Sequence, residues 1–146
     1  MTVGLPGPAD RTPHTVAARI RERSTLVPRV GLVLGSGLAG ALGDTLATES
    51  TFAYADLGLP PTGVPGHAGT LLLGDLAGVP VVAFSGRYHL YEGHDPEVPA
   101  LLPRVAHVLG ARTMVLTAAV GGLVNDARAE GQAGHERRPT AKEPST

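Results

Sequence analysis

The sequence contains no cysteine. Disulfides and thiolate-held metals are therefore excluded, and the composition suits a reducing compartment. A charge excess of either sign is also missing: 12 basic residues stand against 13 acidic ones, for a net charge of −1. Nucleic acid and anionic membrane surfaces attract a clustered basic surplus, so neither is indicated as a partner. No apolar run approaches the length needed to cross a bilayer, and the opening MTVGLPGPADRTPH lacks a charged segment followed by an apolar one. A cytoplasmic protein is expected. No internal repeat is found, and His14, His94, His107 and His135 stand at no metal-ligand spacing with carboxylates.

What the chain does contain is enough apolar material for one compact domain. Hydrophobic residues make up 42% of the 146 positions and charged residues 17%, a balance typical of globular proteins. Its 20 glycines and 13 prolines put much of the structure into loops and tight turns.

Residues 1–11 are Pro/Gly-rich and expected to be flexible. Thr12 can cap a helix with Pro13 at its first position and Val16, Ala17 and Ile20 on one face, ending near Ser24. Val30 to Leu34 reads as a buried strand that runs straight into Gly35-Ser36-Gly37-Leu38-Ala39-Gly40. A second strand is expected over 48–55, followed by a rigid Pro/Gly loop from Leu57 to Gly69. Thr70 to Leu73 and Val79 to Phe84 read as strands joined by a hairpin connection at Gly74 to Gly78. Asp95-Pro96 starts a helix that Gly110 ends, with Pro103 in its interior expected to kink it. Arg112 to Thr117 is a further buried strand. Beyond Val124 the chain has almost no large apolar residue, so 124–146 is expected to be a polar, disordered tail.

The expected architecture is α/β, with a mixed, partly closed sheet flanked by helices, because strands alternate with helices yet include one hairpin. Three loops follow three strands, at residues 35–40, 86–91 and 117–122. In such a sheet, carboxyl-end loops converge on one ligand. Glycines let backbone N–H groups approach an anion, so Ser36 and its neighbours suit a phosphate cradle.

Gly35, Gly37 and Gly40 also satisfy the dinucleotide-binding spacing, and Asp56 lies near the position of its acidic partner. Against that reading, Ala41 to Asp44 leaves no room for a long crossover helix. Arg87 and His89 fall on one side of an extended segment, where a guanidinium fork suits phosphate oxygens. The plainer alternative is an ion-paired surface arginine beside a partly buried histidine. His67 can close over an anion or be an ordinary turn residue, and Tyr91 can stack on a sugar or pack in the core.

Four motifs change the balance by appearing together and in order. Gly-Ser-Gly-Leu at 35–38, Val-Pro-Gly-His-Ala-Gly at 64–69, Gly-Arg-Tyr-His-Leu-Tyr-Glu-Gly at 86–93 and Thr-Ala-Ala-Val-Gly-Gly-Leu at 117–123 resemble the trimeric class of purine nucleoside phosphorylases. The resemblance covers residues 13–123 and implies a nucleoside phosphorylase-like region over 12–123. It implies that Ser36, His67, Arg87, His89 and the Ala119 backbone bind phosphate. Tyr91 would contact ribose, and Val120 and Gly121 would line the base pocket.

The implied reaction is phosphorolysis, in which phosphate attacks the anomeric carbon of a purine nucleoside and releases base and ribose 1-phosphate, a step of purine salvage. Inorganic phosphate is the co-substrate, no metal or organic cofactor is implied, and the assembly would be a homotrimer. Methylthioadenosine phosphorylase is the near relative. The family's base-contacting Glu and Asn, a second phosphate-binding Ser and a late ribose-side His have no counterparts here, and Ala118 stands where Asn is usual. The resemblance thus implies an N-terminal half, from a truncation or a frameshift. A non-catalytic, phosphate-binding or subunit-associating fragment is the alternative from another functional class.

Overall fold

The structure is a computed structural model that describes residues 11–35, 37–62 and 69–121. Ser36, His67, the opening residues 1–10 and the whole expected tail lie outside the described residues.

Helix α1 spans Pro13–Arg21, with the Thr12 hydroxyl accepting from the Thr15 N–H at 3.1 Å and Pro13 in the first turn, as a capped start requires. It stops one turn short of Ser24, where the side chain leaves the helix to donate to Glu49 at 3.0 Å. Strand β1 is Val30–Leu34 and helix α2 is the short Leu38–Gly43, which bears out the lack of a crossover helix. Strand β2 is Ala47–Ala53, followed by the 3-10 turn Ala55–Leu57.

Strands β3, Thr70–Leu76, and β4, Val79–Ser85, form the hairpin, and its loop is shorter than the sequence suggests. Only Ala77 and Gly78 connect the strands, both at positive φ. That is the requirement of the type I′ turns whose twist matches a hairpin. Gly74, read from sequence as part of the turn, is a strand residue: a Cβ there would press on the Ala47 carbonyl oxygen of β2. A second 3-10 turn, Leu90–Glu92, precedes helix α3, Glu97–Leu109, and strand β5 is Thr113–Leu116. Pro103 lies inside α3, and the Gly110 N–H closes the helix on the Ala106 and His107 carbonyls.

The five strands form one mixed sheet in the order β2-β3-β4-β1-β5. Strand β1 is parallel to β4 on one side and to β5 on the other, while β3 pairs antiparallel with both β2 and β4. Within the described residues the sheet is open, with β2 and β5 at its edges.

The core joins Val16, Ala17 and Ile20 of α1 and Leu101, Leu102, Val105, Ala106 and Leu109 of α3 to Val33, Phe52, Leu71, Leu73, Val82 and Phe84 of the sheet. Burying each of the Val, Ile, Leu and Phe side chains contributes about 1.5–3 kcal/mol. Arg21 ties the layer together by donating to the Leu26 and Leu109 carbonyls at 2.7 and 2.6 Å. Among the described residues, no helix is long and apolar enough to cross a membrane.

Candidate functional site

Parallel pairing of β1, β4 and β5 brings three loops to one sheet edge. Leu34 is in register with Ser85, and Val33 with Leu116, so the chain leaves all three strands at the same level. Thr117, just past β5, binds back to β1 twice: its N–H donates to the Val33 carbonyl at 3.0 Å, and its hydroxyl donates to the same oxygen at 3.1 Å. The Thr117 hydroxyl oxygen in turn accepts from the Gly35 N–H at 2.7 Å.

A larger residue at Gly35 would force its surroundings to shift. A Cβ there would lie 2.8 Å from the Thr117 carbonyl oxygen. Its N–H is taken by Thr117, and its carbonyl accepts from the Leu38 N–H at 3.3 Å. The close backbone approach therefore explains this glycine, whereas an anion-facing N–H at Gly35 does not.

Arg87 joins the third loop to this pair, because its Nη1 donates to the Thr117 carbonyl at 2.9 Å. Among the described residues no carboxylate pairs with it. A guanidinium carries five donors in a planar fork, and one bond to a carbonyl leaves others for an incoming anion.

Gly86 gives Arg87 its place. At φ +108 the chain turns sharply out of β4, in a conformation that favours glycine. Its carbonyl accepts from the Tyr54 hydroxyl at 2.7 Å, and Thr62 and Gly69 lie against its Cα. Arg87 and His89 are half-buried while Tyr88 between them is buried, the alternation expected of an extended segment.

Tyr88 holds the segment from within. Its hydroxyl donates to the Pro60 carbonyl at 2.8 Å, and its ring meets Tyr54 at 6.1 Å and the edge of His94 at 5.3 Å. Burial pushes both phenols up from their ordinary 10.0; for Tyr54 the Tyr88 phenol adds to this, and for Tyr88 the Glu92 carboxylate adds while Arg11 opposes. His89 stacks on Tyr91 with centroids 4.8 Å apart and planes 13° from parallel. Tyr91 is 80% exposed, which corrects the core-packing alternative.

The structure thus joins the loops at Gly35, Arg87 and Thr117, and sets His89 and Tyr91 beside each other. Ala119, Val120 and Gly121 follow Thr117 and are exposed. Ser36 and His67 lie outside the described residues. Sequence reasoning missed Thr117, Tyr54, Tyr88 and Glu92 as organisers of the site. A threonine ending a strand and tyrosines flanking glycine loops were the only available signals. Among the described residues no group of three or more His, Asp or Glu side chains is arranged to hold a metal ion.

Comparison with known proteins finds relatives of this chain. No family model matches the sequence. Curated relatives do: purine nucleoside phosphorylase 1 of Bacillus subtilis is 41% identical over 114 residues, 77% of this chain and 42% of the relative. The Bos taurus purine nucleoside phosphorylase is 42% identical over 66% of this chain and 33% of its own length. Among solved structures, Schistosoma mansoni purine nucleoside phosphorylase in complex with inosine superposes with a TM-score of 0.70 at 35% identity, over 79% of this chain and 40% of that one. The chain spans between one third and about two-fifths of the length of these relatives. By sequence and by fold, it is a homologue of the purine nucleoside phosphorylases, corresponding to part of their length.

Proposed function

We propose that this chain carries the phosphate- and ribose-facing loops of a purine nucleoside phosphorylase and serves phosphorolysis of purine nucleosides. The observation that carries the reading is the Arg87–Thr117 bond, which joins two of three loops at the end of parallel strands around an arginine with donors to spare. Phosphate is assigned to Ser36, His67, Arg87, His89 and the Ala119 backbone, ribose to Tyr91, and the base to Val120 and Gly121.

The glycosidic bond breaks with oxocarbenium character, so the nucleophile must wait beside the anomeric carbon. A phosphate oxygen then bonds to that carbon, the bond to the purine nitrogen breaks, and base and ribose 1-phosphate leave. Charge on phosphate is met by the arginine and by N–H donors, so the reading calls for no metal or organic cofactor. A homotrimer in the cytoplasm completes it.

The test is phosphate-dependent release of hypoxanthine from inosine by the purified 146-residue chain, with loss of release in Arg87→Ala. Release that ignores phosphate or survives Arg87→Ala contradicts the assignment.

A second reading is supported by the exposed residues Leu116 (66%), at the end of the edge strand β5, and Val120 (84%), just beyond it. Here the chain binds phosphate and turns nucleoside over only with a second polypeptide on that edge. Phosphate-dependent stabilisation without hypoxanthine release from the chain alone selects it.

A further inference from the structure

Behind the Arg87–His89 segment lies a carboxylate that the proposed reaction does not use. The Glu92 side chain is only 6% exposed. Its Oε1 accepts from the His89 backbone N–H at 3.1 Å, which fixes the head of the 3-10 turn Leu90–Glu92. Its Oε2 lies 3.1 Å from Nε2 of His94, whose side chain is 21% exposed. The edge of the His94 ring rests on Tyr88, the residue that seats the segment in the core. One imidazole therefore touches both devices that set the course of the chain through His89.

We propose that His94 is a positioning residue: through Glu92 it holds the backbone at His89, so that the phosphate-facing geometry of His89 follows the state of His94. This rests on the proposed phosphate role of His89. A buried carboxylate bonded to an imidazole is held more firmly when the ring is charged, because a charge-assisted bond is shorter and stronger than a neutral one. Among the described residues, the other ionisable groups around the pair are Tyr88 against the ring, Arg11 acting electrostatically on Tyr88, His89 and Tyr91 on the loop itself, and Asp95, whose carboxylate accepts from the Glu97 N–H at 3.0 Å.

Two variants separate the bond from the packing. His94→Phe keeps a ring against Tyr88 and removes the hydrogen bond, while His94→Gln keeps a donor and removes the charge change. In amide-resolved NMR of the full chain between pH 5 and 8, the His89 N–H is expected to exchange on the order of tenfold faster in His94→Phe, and His94→Gln is expected to restore its protection. The wild-type His89 N–H resonance should also contain a pH-dependent component that is absent from both variants.

Wild-type exchange and pH response in His94→Phe overturn the proposal, and so does that component surviving in His94→Gln. Titration with inorganic phosphate runs beside it, with binding several-fold weaker expected in His94→Phe. Failure of every form to bind phosphate overturns the proposed function and leaves the His89 exchange result standing.

Discussion

The guanidinium of Arg87 donates to the carbonyl oxygen of Thr117 at 2.9 Å, linking the loop after β4 to the loop after β5. Removing it costs a bond from a charged donor at a half-buried site, about 1 kcal/mol once solvent screening is allowed for. Arg87→Ala is therefore expected to lower the urea midpoint slightly while abolishing phosphate binding. Arg87→Lys keeps the charge and loses the fork, so it should recover stability better than affinity.

Thr117 and Gly35 form one unit, and their variants should behave as one. Thr117→Val strips the hydroxyl that bridges Gly35 and Val33, at about 1–3 kcal/mol. Gly35→Ala drives a Cβ toward the Thr117 carbonyl oxygen, at about 1–3 kcal/mol. In the double variant the two losses are expected to fall short of their sum, because each already disturbs the same contact. Equilibrium denaturation of the three variants measures this.

The hairpin offers a gain. Ala77 is the one described non-glycine residue at positive φ, 51°, a conformation that crowds its Cβ. Ala77→Gly removes that strain and adds unfolded-state entropy, so a net stabilisation of up to about 1 kcal/mol is expected. A rise of a few degrees in melting temperature would register it.

The buried tyrosines set an alkaline limit. With folded values raised above the ordinary 10.0, Tyr54 and Tyr88 bind their protons more tightly in the native state than in the unfolded chain. Their contribution is whole below pH 10 and is lost as the pH climbs above it, at about 1.4 kcal/mol per pH unit for each residue. Denaturation between pH 9 and 11 is expected to show this slope, and Tyr88→Phe should reduce it by half.

The parts of this fold that repeat at short range are legible in the sequence. The spacing of Leu101, Leu102, Val105 and Leu109 announces α3, and Thr12-Pro13 marks the start of α1. Glycine was legible only as a turn signal, so Gly74 drew the hairpin loop too wide: its role is close approach of β2, which no local pattern reveals. Non-local bonds were silent for the same reason. Thr117 meets Gly35 across 82 residues, and Tyr54 meets Gly86 across 32. Arg87, His89 and Tyr91 could be singled out as side chains, but the bonds that place them could not.

Whether phosphate is held at the loops joined by Arg87 is read out by phosphate-dependent thermal unfolding. A ligand that binds only the native state at a hundred times its Kd adds about 2.7 kcal/mol. The melting temperature is expected to climb with phosphate by several degrees in the wild-type chain, to stay flat in Arg87→Ala, and to be unmoved by chelator. A wild-type chain indifferent to phosphate, or an Arg87→Ala variant that responds equally, would contradict phosphate binding at these loops.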